Sequence, residues 1–328
     1  MVLKGGTPVS LELMNESMDD WNEKITAAEE MMPVIGRLYR DKAVEISIFG
    51  RLLNNRTVMN IVKCCRFARQ VENEELSVLE AQAVLEKIKD LDLSPCHIDI
   101  GKLAVNFRRF GQDRPLGDYV QEELDGALSS NNPGKDKTDI VLYGFGRIGR
   151  LLAREIIAKS GSKEAIRLRA IVVRENGDND LMKRASLLRR DSVHGSFDGT
   201  ITIDHDSNTI IANGQRIQVI YASNPADVDY TAFGIDQALV VDNTGKWRDR
   251  DGLSMHLKCP GVSRVLLTAP GKGDLKNIVH GVNDHEITDQ DTIISAASCT
   301  TNAITPVLAA IDEKYGVQHG HVETVHSY

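Results

Sequence analysis

A chain of 328 residues exceeds what one ordinary hydrophobic core organises, and 41% hydrophobic with 26% charged residues is the balance of a soluble globular protein; two domains are expected. A net charge of −8 excludes a broad basic surface for nucleic acid. No run approaches the roughly 18 apolar residues of a membrane helix, and Met1 to Asp20 lacks the basic start and apolar core of a leader, so the protein reads as cytoplasmic.

From about Ser17 to Leu128 the periodicity is helical. Apolar residues recur at three and four positions through Ile25, Met32, Ile35 and Leu38, then through Val58, Ile61 and Val62. Ser77 with Glu80 forms a capping box ahead of Val78-Leu79 and Ala83-Val84-Leu85. Leu116-Gly117-Asp118 precedes a short amphipathic segment, Tyr119 to Leu128. Residues 1–130 are therefore expected to form an all-helical N-terminal domain. Arg66 and Arg69, near Cys64-Cys65, read as its solvated face. Turn formers and charges break the pattern from Ser129 onward, which makes residues 131–137 a linker.

Beyond the linker, strand and helix alternate, the signature of a doubly wound parallel Rossmann sheet over residues 138–298. Strands are expected at Asp139 to Tyr143, Leu168 to Val173, Ala238 to Val241, Val265 to Leu267 and Thr292 to Ser295. Helices are expected at Ile148 to Lys159 and Asp180 to Arg190. Gly199 to Tyr221 alternates around turns at Asp206-Ser207-Asn208 and Asn213-Gly214, and reads as an antiparallel insertion.

Gly144-Phe145-Gly146-Arg147-Ile148-Gly149 joins the first of these strands to the first helix, where a dinucleotide fingerprint has to sit. Gly144 permits the turn, Gly146 lets backbone approach a pyrophosphate, and Gly149 lets the helix pack closely. The helix N-terminus supplies free N–H groups and partial positive charge. After the second strand, Glu175 suits the ribose hydroxyl of NAD and Arg174 the extra phosphate of NADP. The sequence leaves NAD or NADP open.

The five cysteines form an odd set without C-x-x-C spacing, which argues against a disulfide framework and a zinc site. One of them stands apart. Cys299, within Ser298-Cys299-Thr300-Thr301-Asn302, lies where an apolar strand meets a helix running through Ile304, Val307, Leu308 and Ile311. A helix N-terminus favours the thiolate, and backbone N–H groups there suit an oxyanion. Ser298 and Thr300 add hydroxyls for an anion. Gly320 to Tyr328 alternates like a strand, with Val322, Thr324 and His326 on one face. A strand returning to the helix mouth would pair His326 with Cys299 as base and then acid. His319, His321 and Glu323 occupy the other face and read as solvated rather than as metal ligands.

From about Thr138 to Tyr328 the sequence resembles phosphorylating glyceraldehyde-3-phosphate dehydrogenase. The resemblance rests on the Gly144 to Gly149 loop, on Asp191-Ser192-Val193-His194-Gly195, on Ser298 to Asn302 and on Thr324-Val325-His326-Ser327-Tyr328. Asn243-Thr244-Gly245 and Thr268-Ala269-Pro270 resemble segments lining that family's cofactor pocket. The resemblance implies that Cys299 attacks an aldehyde, hydride leaves for the nicotinamide, and inorganic phosphate cleaves the thioester. It also implies that His326 deprotonates the thiol, and that Ser298 and Thr300 contact phosphate. D-glyceraldehyde 3-phosphate is then the substrate and a homotetramer the full-length assembly. Erythrose-4-phosphate dehydrogenase and a non-catalytic cofactor-binding or regulatory module are the alternatives.

Three departures from the family pattern stand out. Tyr143 replaces an asparagine before the glycines, and Arg174-Glu175-Asn176 replaces asparagine-aspartate. The helical N-terminal region resembles the longer bacterial versions. The resemblance also implies an antiparallel catalytic domain that starts at residue 299 and is incomplete, with Tyr328 expected within its first strand, so the sequence is read as a fragment.

Overall fold

The computed structural model describes residues 10–73, 75–128, 138–159, 166–177 and 179–325. The expected linker, 131–137, lies outside them. The described residues fall into two compact units, 10–128 and 138–325.

The first unit opens with α1, Leu11–Lys42, whose N-cap Ser10 accepts from the Leu13 N–H, and whose C-cap Ala43 takes the left-handed conformation. There follow β1 (Val44–Ile48), β2 (Arg51–Leu52), α2 (Val58–Glu72), α3 (Val78–Ile88), β3 (Cys96–Asp99), α4 (Ile100–Asn106) and α5 (Leu116–Glu123). The Ser77–Glu80 capping box is present at the start of α3. Helical packing dominates, with Met31, Ile35 and Leu38 of α1 buried in one cluster with Ile61 of α2 and Val84, Leu85 and Ile88 of α3.

The unit is nevertheless not all-helical. β1 pairs parallel with β3 and antiparallel with β2, and Ile46 and Ile48 join the helical core. Segments of five, two and four residues are too short to register against the long helical periodicity around them.

The second unit runs β4 (Thr138–Tyr143), α6 (Arg147–Lys159), β5 (Ile166–Val173), α7 (Asp180–Arg189), β6 (Arg190–Asp191), β7 (Gly195–Ser196), β8 (Ile201–Asp204), β9 (Thr209–Ala212), β10 (Gln215–Tyr221), β11 (Ala238–Asp242), α8 (Arg250–Leu257), β12 (Val262–Leu267), β13 (Ile293–Ser295) and α9 (Cys299–Tyr315). One sheet has the order β13-β12-β11-β4-β5-β10-β9-β8, and its first six strands are mutually parallel. Ile140, Val141 and Leu142 of β4 are buried on both faces, as a covered parallel sheet requires.

The expected antiparallel insertion is the far edge of this same sheet. β8 and β9 are antiparallel, and Asn213-Gly214, both at positive φ, turn β9 into β10. β10 then lies parallel to β5.

The chain leaves β4 for β5 and β10 on one side and returns to β11 on the other. The order therefore reverses between β4 and β11, the place where doubly wound sheets open a crevice at their carboxyl ends.

Candidate functional site

Six parallel strands share one carboxyl edge, so the segments that follow them emerge together. These are the glycine loop after Tyr143, Arg174-Glu175 after Val173, Asn243 to Gly245 after Asp242, Thr268 after Leu267, and the Cys299 turn after Ser295. A cleft of about 840 Å³ opens at this edge, lined among others by Gly144, Phe145, Gly146, Glu175, Asn243 and Thr244. The sheet thus gathers into one cavity residues spread from Tyr143 to Trp247, while Gly245, Thr268 and the Cys299 turn are not part of its lining.

The three glycines of the loop differ in what they permit. Gly144 has φ +92°, open to glycine at little cost. A Cβ on Gly146 would meet nothing within 4 Å, so this backbone faces open space. A Cβ on Gly149 would lie 2.4 Å from the Gly144 carbonyl oxygen, because α6 packs directly on the loop. Arg147 and Ile148 open the first turn of α6, whose leading N–H groups have no acceptor within the helix.

Across the switch point Asn243 holds the loop, its Nδ2 donating to the Val241 carbonyl at 3.0 Å and to the Gly144 carbonyl at 3.4 Å. Thr268 Oγ1 in turn donates to Asn243 Oδ1 at 3.0 Å. Gly245 supplies a left-handed φ of +65° where the turn leaves β11.

Sequence reading missed part of the wall. Tyr143, Arg150, Arg184, Ser223, Lys246 and Trp247 also line the cleft. Ser223 was findable in principle, since it follows a strand that proves parallel, but that pairing is not written in the local pattern. Arg150 sits one turn into α6, with its Nε buried and unpartnered among the described residues. Burial lowers the pKa of its guanidinium, against the opposing pull of Asp191, and its Nε remains open to a further acceptor. Open backbone at Gly146, a bare helix N-terminus and this guanidinium fit a dinucleotide pyrophosphate.

The Asp191 to Gly195 segment braces that arrangement. Asp191 Oδ1 accepts from the N–H groups of Val193 and His194 and lies 3.1 Å from His194 Nδ1. Its other oxygen is 3.8 Å from Arg147 and 3.9 Å from Arg150. These bonds, the His194 N–H foremost, hold the carboxyl well below the usual carboxylate range.

Cys299 is the first residue of α9, directly after the N-cap Ser298, and it is exposed. The approach to it is tightly specified. Ala297 takes φ +58°, a left-handed conformation unusual for alanine, and its N–H donates to Ser295 Oγ at 3.0 Å. Asn302 Nδ2 reaches back to the carbonyls of Ala296 and Ser298, both at 2.8 Å. Ser298 Oγ accepts from the Thr301 N–H at 3.0 Å and shares a 2.7 Å bond with Thr301 Oγ1. The Ser298 hydroxyl is therefore first of all a helix cap.

His326 lies outside the described residues. Residues 316–325 carry no strand, contrary to the alternation from Gly320 onward. A strand needs a neighbour to share its ladder, and none of the described strands pairs with this segment. No residue of α9 is buried among those described.

An open, largely parallel sheet with a glycine turn at its switch point defines a dinucleotide-binding α/β domain. Residues 138–250 match the glyceraldehyde 3-phosphate dehydrogenase NAD binding domain, and residues 298–328 match the C-terminal domain of the same enzymes. The chain therefore carries two stretches, 138–250 and 298–328, that are similar to the glyceraldehyde 3-phosphate dehydrogenase family.

The chain is 58% identical over 301 residues to a glyceraldehyde-3-phosphate dehydrogenase-like protein of Pseudomonas aeruginosa (strain UCBPP-PA14), covering 91% of this chain and 65% of that one. It is 37% identical over 190 residues to a glyceraldehyde-3-phosphate dehydrogenase of Zymomonas mobilis, covering 58% of this chain and 53% of that one. It is 36% identical over 189 residues to that of Thermotoga maritima, covering 58% of this chain and 54% of that one. The chain thus spans 65% of the first relative and about half of the other two. The first alignment takes in most of the N-terminal unit, whereas the shorter two match in length the region from residue 138 onward.

No helix among the described residues is long and apolar enough to cross a membrane.

Proposed function

We propose that this chain carries the cofactor cleft and the nucleophile of a phosphorylating glyceraldehyde-3-phosphate dehydrogenase that acts on D-glyceraldehyde 3-phosphate. The observation that carries the reading is the position of Cys299, exposed at the first residue of a helix that starts from the same sheet edge as the glycine loop. A helix N-terminus at that point suits a developing oxyanion.

Gly144 to Gly149 would cradle the pyrophosphate, Glu175 the adenosine ribose, and Asn243, Thr244, Gly245 and Thr268 the nicotinamide side of the cleft. Bound NAD or NADP supplies the hydride acceptor. The chain's own residues do the rest. Cys299 Sγ adds to the aldehyde carbon, and His326 takes the thiol proton and steadies the oxyanion. After oxidation the acyl group remains on Cys299 as a thioester, which inorganic phosphate cleaves to 1,3-bisphosphoglycerate. Ser298 and Thr300 would contact that phosphate, Ser298 while still capping α9. The intact protein would work as a cytoplasmic homotetramer.

The test is a steady-state assay of the protein with each aldehyde, with and without inorganic phosphate. Phosphate-dependent reduction of NAD or NADP with glyceraldehyde 3-phosphate is expected. Phosphate-independent turnover would overturn phosphorolysis, and preference for erythrose 4-phosphate would reassign the substrate.

A further inference from the structure

We propose that His256, which does not line the cleft, is a positioning residue that holds the cofactor wall in register through Asp242. The inference rests on the reading of the cleft as a dinucleotide site.

Asp242 ends β11 at the switch point and is fully buried, as is His256 of α8. Asp242 Oδ2 lies 3.0 Å from His256 Nε2. Oδ1 accepts from the Thr244 N–H at 2.8 Å and the Thr244 hydroxyl at 2.6 Å, and Thr244 Oγ1 accepts from the Lys246 N–H at 3.2 Å. One buried carboxylate therefore winds the turn that carries three lining residues, Asn243, Thr244 and Lys246. A carboxylate only accepts, so the imidazole proton sits on Nε2.

The ring also supports the wall by packing. It meets Tyr143 edge-on at 4.7 Å and Trp247 at 6.4 Å, and both of those side chains line the cleft. The same turn touches the glycine loop, since a Cβ on Gly144 would come 2.9 Å from Thr244 Cγ2. Removing the N–H that satisfies Oδ2 leaves a buried carboxylate oxygen short of a donor, a deficit the turn relieves by moving toward water. The cleft then loses its shape from behind.

Three variants of the full chain test this, with Kd for NAD and NADP read by titration calorimetry and folding read by melting temperature. His256→Met keeps volume without a donor, and His256→Asn offers an amide that stops short of Asp242. Both are expected to bind about tenfold more weakly. His256→Gln, whose amide N–H reaches toward the same oxygen, is expected to recover most of the affinity. If His256→Met does not fold, the contrast between Asn and Gln carries the test. Equal Kd in the parent and all folded variants overturns the proposal, as does equal loss in Asn and Gln. A parent that binds neither dinucleotide removes the reading of the cleft, and this inference with it.

Discussion

Gly149 and the carbonyl oxygen of Gly144 are packed so closely that a single added carbon at Gly149 would stand 2.4 Å from that oxygen. No side chain separates the first turn of α6 from the loop it braces. In Gly149→Ala either α6 or the loop has to shift. Cofactor affinity should fall, and stability should drop by about 1–3 kcal/mol, as for other overpacked sites. Calorimetric titration with NAD and a urea melt check this, and unchanged values in both would refute it.

Cys299 should be the thiol that reacts first. Cys64, Cys65 and Cys259 are buried, and burial pushes each of their thiols up, Cys65 to about 12. Cys96, half-buried, is raised for the same reason. These four are held above the ordinary thiol value and shielded by packing, whereas Cys299 is exposed at the first residue of a helix. Timed iodoacetamide labelling with peptide mass spectrometry is expected to find Cys299 modified ahead of the others, and Cys299→Ser should abolish turnover. Labelling of Cys65 or Cys259 first would count against the burial described.

The turn before the nucleophile should tolerate little at Ala297. Its φ of +58° suits glycine and is hostile to a β-branched side chain. Ala297→Val is expected to cost about 2 kcal/mol or more, while Ala297→Gly should stay within about 1 kcal/mol of the parent. Asn302→Ala leaves the carbonyls of Ala296 and Ser298 without their shared donor, and should slow Cys299 labelling. Denaturant midpoints and labelling rates decide both points.

At alkaline pH the N-terminal unit should weaken through Cys65. Desolvation, with a smaller contribution from Cys64, raises this thiol from 9.0 to about 12 in the folded state. The folded chain therefore keeps a proton that the unfolded chain releases. That contribution is fully present below pH 9 and is lost as pH rises toward 12. Cys65→Ala should flatten the fall of the urea midpoint over that window, and an identical slope would show that the ionisation lies elsewhere.

Local signals carried far in this chain. The glycine loop, the strand before it and the helix after it appear where their spacing placed them, and Cys299 begins a helix as the step from apolar strand to helical periodicity implies. Such features are fixed by neighbours a few residues away. The three-stranded sheet of the N-terminal unit escaped because β1, β2 and β3 are too short to stand out from helical surroundings. The strand expected from Gly320 onward is not formed over residues 320–325, because alternation alone supplies no partner for its ladder.

By itself the sequence determined the class of fold, the glycine turn between β4 and α6, and the helix that starts at Cys299, since each depends on residue type and short spacing. Only the tertiary structure decided what stands behind and beside them. Asp242 and His256 are 14 positions apart, and Asn243 and Gly144 are 99 apart. Their meeting is set by strand order, with β11 returning beside β4. That long-range pairing leaves no periodic mark on the chain, so the wall of the cleft becomes visible only when the sheet is assembled.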